Sequence, residues 1–168
     1  MAARPSTKTS LPVLAGPAED SRYAEVVGER IALLGEESGV FEGWMWPLKL
    51  FHGLKVEART TGGRRIEFED RRVAVTPFSL ELSYSAGDVV LVQRMIASRE
   101  ERGLLLLFTW QSPADLELDL SFTCDFRPMW PAGMGGQIAS PDPATGAFVM
   151  TEELGRFAAI LGGKGAEL

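Results

Sequence analysis

The feature that most constrains this chain is a two-residue alternation of apolar and polar side chains, which dominates from about residue 48 onward. Over residues 78–84, Phe78, Leu80, Leu82 and Tyr84 alternate with Ser79, Glu81 and Ser83. Leu116, Leu118, Leu120, Phe122 and Cys124 alternate in the same way with Glu117, Asp119, Ser121 and Thr123. Leu54, Val56 and Ala58 form a further set, as do Ile66 and Phe68. This period places one face of each strand in a core and the other in water, as in antiparallel sheets. Residues 89–96 and 104–110 are denser in apolar side chains, which predicts central strands covered on both faces and places Trp110 in the core. Turn residues fall between these runs, at 62–63, 85–88, 98–103, 112–115 and 142–146. No segment carries a capped start followed by a long 3.6-residue period. The expected fold is all-β, an antiparallel β-sandwich of two packed sheets with little helix.

The chain has 168 residues, 45% of them hydrophobic, which suits one domain with a real core. Residues 22–162 read as that domain, residues 1–21 as a flexible leader and 163–168 as a tail or the start of a linker. The net charge is −6, with 17 basic and 23 acidic residues. Phosphate binding needs concentrated positive charge, so neither nucleic acid nor an anionic membrane is an expected partner. The two arginine pairs, at 64–65 and 71–72, are flanked by acids and read as solvated strand ends. Cys124 is the only cysteine and His52 the only histidine. No internal disulfide is possible, and Cys/His zinc sites, Ser-His-Asp triads and Cys-His pairs lack their partners. No metal site and no cofactor is expected, and catalytic residues are expected to be absent from this chain. No apolar run approaches the ~20 residues that span a bilayer, and a cytoplasmic location is expected.

Two segments break the alternation and hold three of the four tryptophans. The first is Phe41-Glu42-Gly43-Trp44-Met45-Trp46-Pro47-Leu48-Lys49, where Pro47 cannot donate to a sheet ladder and predicts a kink, bulge or edge. The second is Asp125-Phe126-Arg127-Pro128-Met129-Trp130-Pro131-Ala132-Gly133-Met134-Gly135-Gly136. Indole faces stack on the C–H faces of sugars, and Asp, Arg and Gln side chains bond sugar hydroxyls. Trp44, Trp46, Asp125, Arg127, Trp130 and Gln137 are therefore the candidate substrate-binding residues. The same tryptophans could instead plug the ends of the sandwich or cover a neighbouring domain. Asp125 is expected to pair with Arg127 or cap the loop, His52 to hydrogen-bond at a sheet edge, and Glu152 and Glu153 to lie at a turn.

These two segments resemble the N-terminal region of bacterial amylo-α-1,6-glucosidases, glycoside hydrolases of the glycogen-debranching type. The resemblance covers about residues 22–162. It implies an N-terminal, supersandwich-like β-sandwich that packs on an α/α-barrel carrying the catalytic acids, with residues 125–136 near the rim of its α-glucan cleft. This sequence ends at Leu168, before any barrel. The resemblance thus implies a non-catalytic accessory domain whose partners are that barrel and α-glucan oligosaccharide. An autonomous carbohydrate-binding module and a structural sandwich that forms a homodimer through exposed apolar surface are the alternatives.

Overall fold

The computed structural model describes residues 12–128, 136–164 and 166. In chain order the strands are β1 (Leu14–Pro17), β2 (Tyr23–Val27), β3 (Ala32–Glu36), β4 (Phe41–Met45) and β5 (Leu48–Thr60). They continue as β6 (Asp70–Thr76), β7 (Ser79–Ala86), β8 (Val89–Ala97), β9 (Leu104–Gln111) and β10 (Leu116–Pro128). The last three are β11 (Gln137–Asp142), β12 (Ala147–Glu152) and β13 (Ala158–Gly162). No helix occurs among the described residues. One antiparallel sheet runs β1-β6-β7-β8-β9 and a second runs β10-β5-β4-β3-β2. Together they make the β-sandwich that the alternation predicts. A small third sheet, β11-β12-β13, lies against β10, where the two-sheet expectation had no counterpart.

Register explains the core. Leu80 pairs with Met95 and Met95 with Leu106, while Leu82 pairs with Gln93 and Gln93 with Phe108, so these rows share one face. Opposite them stand Val26, Leu33, Phe41, Leu54 and Phe126, the last fully buried. Each such side chain contributes roughly 1.5–3 kcal/mol on burial, and in the absence of a disulfide the apolar core supplies the stability. The ring of Phe122 bridges Phe51 at 5.9 Å and Phe148 at 5.7 Å, tying the third sheet to the second. The buried Gln93 is satisfied by the Tyr84 hydroxyl, 3.1 Å from its Oε1. Burial pushes the Tyr84 phenol up to about 12, against the opposing pull of Arg71.

Several expectations are corrected. Residues 14–17, inside the expected leader, form β1 and pair with β6. Ile66 and Phe68 do not lie on a strand; they pack on the core from a segment held to β5 by the Arg59–Arg65 bridge. Neither dense apolar strand is covered on both faces: Arg94 of β8 and Leu105 and Leu107 of β9 face outward and are exposed, and β9 is moreover an edge strand. Trp110 lies on the core-facing row of that edge, opposite Leu91, and remains 51% exposed. Arg71 is no solvated strand end: it lies over the Tyr84 ring, donates to the Glu37 carbonyl oxygen at 2.7 Å and pairs with Asp20.

Candidate functional site

The segment around Pro47 is a tight hairpin. Trp46 and Pro47 form the turn between β4 and β5, where a proline needs no ladder partner, and the peptide bond between them is cis. Register then sets Trp44 opposite Lys49 and Met45 opposite Leu48. Gly43 pairs with Phe51, whose ring occupies the space a β-carbon at 43 would need, 2.5 Å away. Farther along β5, Gly53 adopts a φ of +65°, and an extra residue enters the strand between Phe51 and Leu54 relative to both neighbouring strands. This glycine bulge resets the alternation. Phe51 turns into the core while His52 turns outward, opposite Thr123.

Lys49, His52, Asp125 and Arg127 thereby gather on the outer face of the second sheet. Asp125 takes contacts from three sides: Arg127 Nε donates to Oδ1 at 2.7 Å, while Lys49 Nζ lies 3.4 Å and His52 Nδ1 3.2 Å from Oδ2. Lys49 Nζ also pairs with Glu42 Oε2 at 2.8 Å and sits 5.1 Å from the centre of the Trp44 ring. The indole Nε1 of Trp44 donates to Glu42 Oε1 at 2.8 Å. Partial burial works against charge on Asp125, but Arg127 and Lys49 outweigh it and hold the carboxyl below its ordinary value. Burial likewise lowers Lys49, and Glu42 and Asp125 reverse this to hold its ammonium above the ordinary value. A general acid for glycoside cleavage needs a raised pKa. Asp125 is shifted the other way, and a lysine bound to both Glu42 and Asp125 stands between those carboxylates.

The structure thus links three of the six candidates. Lys49 joins Trp44 to Asp125, Asp125 pairs with Arg127, and Trp46, 80% exposed, projects from the adjoining turn. Gln137 is adjacent, its Nε2 donating to the Cys124 carbonyl oxygen at 2.7 Å on the edge of β10. Trp130 lies outside the described residues. The expected pairing of Asp125 with Arg127 is observed, and Glu152 lies at a turn, accepting the backbone N–H groups of Leu154 and Arg156. His52 bonds Asp125 from β5, inside the sheet and not at its edge.

Three participants escaped the reading of the sequence. Glu42 and Lys49 look like ordinary strand charges within residues 41–49, although a turn centred on Trp46 and Pro47 sets Lys49 across from Trp44. The third is Tyr23 on β2, 59% exposed beside a shallow, open depression of about 320 Å³ that Leu34, Glu36, Val40 and Glu42 also line. Partial burial and the charges of Glu25 and Glu42 hold its phenol above the ordinary value. Nothing in the local sequence separates it from any other strand tyrosine. A second open depression, about 500 Å³, is lined by Asp88, Val90, Gln111 and Pro113 and contains none of the candidates.

Among the described residues there is no cluster of three or more His, Cys, Asp or Glu side chains suited to a metal ion, and no helix long and apolar enough to cross a membrane. No protein-family model matches the chain, and neither a curated protein nor a solved structure matches it.

Proposed function

We propose that this chain is a non-catalytic β-sandwich domain of a glycoside hydrolase acting on α-glucans, and that the outer face around Trp44, Trp46 and Asp125 contacts the glucan. The observation that carries this reading is an exposed indole, Trp46, beside a half-buried indole that is framed by an ordered set of charged donors and acceptors. Flat aromatic surface for sugar C–H faces and fixed polar groups for hydroxyls are the two requirements of carbohydrate recognition. Arg127 and His52 remain partly exposed, with donors available to a ligand. In the full protein this face would border the cleft of an α/α-barrel that supplies the catalytic acids. The unpaired thiol of Cys124 suits a reducing cytoplasm, where we place the protein.

Titration with maltooligosaccharides, followed by tryptophan fluorescence, tests the sugar contact. A saturable change is expected by millimolar sugar, and Trp46→Ala is expected to abolish most of it with unfolding shifted by under about 0.5 kcal/mol. No response at millimolar sugar contradicts the contact. The complete reading frame tests the wider assignment: a helical barrel domain after residue 168 is expected, and an open reading frame that closes there without one contradicts it.

A further inference from the structure

The described structure leaves six sheet edges, and five of them are blunted. β1 is four residues long and includes Pro17, and β2 is five residues long with Glu25 exposed. β10 has two breaks of register and carries Glu117, Asp119, Asp125 and Arg127. β11 contains Pro141 and Asp142, and β13 is a five-residue strand ending in Gly162. These are the usual devices against edge-to-edge pairing. β9 has none of them. Its eight residues, Leu-Leu-Leu-Leu-Phe-Thr-Trp-Gln, hold no charge, proline or glycine, and they pair with β8 in unbroken register from Leu104 to Gln111. Its far side offers a regular row of backbone donors and acceptors flanked by apolar side chains.

We infer that β9 is a self-association edge, on which the β9 of a second copy of this chain pairs antiparallel about a two-fold axis. The occupant follows from the strand's complementarity to itself. Directly opposed residues of an antiparallel pair share a face. With Leu107 on the axis, Leu106 meets Phe108, Leu104 meets Trp110 and Leu105 meets Thr109 of the other copy. This register keeps the polar Gln111 out of the seam and covers Trp110, which one copy leaves 51% exposed. On the outer face, Leu105, 51% exposed, pairs with the half-buried Ile96 of β8, and Leu107, 41% exposed, pairs with Arg94. Pairing would set Leu105 and Leu107 of the two copies beside one another along the seam. The charged pair in the same row, Arg94 and Glu81 at 2.6 Å, neutralises itself and opposes nothing across the seam. Two five-stranded sheets become one of ten, with isologous contacts that close on themselves.

Sedimentation over a range of concentration tests the inference. The wild-type chain is expected to show a reversible monomer–dimer equilibrium. Leu107→Lys, which sets two ammonium groups face to face on the axis, is expected to weaken it roughly tenfold or more while circular dichroism stays unchanged. In a Cys124→Ser background, Leu107→Cys should oxidise to a disulfide-linked dimer, because the two residues face each other within disulfide reach. Leu105→Cys should not, since its two copies lie about 13 Å apart along the strands. A strictly monomeric wild type at high concentration overturns the inference, as does a dimer indifferent to Leu107→Lys or a linkage that favours residue 105.

Discussion

At Asp125 one carboxylate receives Arg127, Lys49 and His52, and the consequence is a defined dependence on acid. Its folded pKa is held below the ordinary 3.8, so the stabilisation it provides is complete above that value and is lost as pH falls through the lower folded value. Asp125→Asn is therefore expected to cost about 1 kcal/mol near neutrality and to flatten the acid limb below about pH 4, read from urea midpoints across pH. An acid limb unchanged by the substitution would show that other carboxylates govern it. At the same scale, the Asp125–Arg127 pair could be read in advance because it depends on residues two apart on one strand face. Trp110 could not. Its burial depends on whether another strand lies beyond β9, and local apolar density carries no information about strand order.

At the scale of the element, β5 shows how a strand can leave strict alternation and still serve one core. Leu50, Phe51 and Leu54 are all buried although Leu50 and Phe51 are adjacent and Phe51 and Leu54 lie three residues apart, and the extra residue at Gly53 changes which residues face out. Gly53 is suited to that step because its φ of +65° is strained for any residue with a β-carbon, even where space is open around it. Gly53→Ala is expected to lower stability by about 1–2 kcal/mol, with Gly53→Asn milder, as measured by denaturant midpoint. Equal stability of all three would remove the bulge's backbone requirement. The same device limits what the sequence discloses. The type of element was legible wherever alternation ran unbroken, as in β7. The bulges of β5 and β10 were not, because one extra residue looks like any other until its neighbours in the sheet are known. The convergence of Lys49 and His52 on Asp125 rests on those bulges, which is why the pairing of Asp125 with Arg127 was legible in the sequence and its contacts with Lys49 and His52 were not.

For the whole molecule, two surfaces stand apart. The indoles and the Asp125 network occupy the outer face of the second sheet, while the unblunted edge belongs to the first. Pairing through β9 would leave the proposed glucan face open, so the two activities are separable by experiment. The third sheet supports the site from the side, with Gln137 capping the edge of β10 and Phe148 packed against Phe122. The described tryptophans also supply an internal control, since Trp44 and Trp46 belong to the proposed face and Trp110 to the other sheet. Chemical-shift mapping of the indole N–H resonances during titration with a maltooligosaccharide uses that difference directly. Progressive shifts are expected at Trp44 and Trp46, with Trp110 unmoved. Shifts confined to Trp110, or none at any of these indoles at millimolar sugar, would contradict the proposed glucan contact.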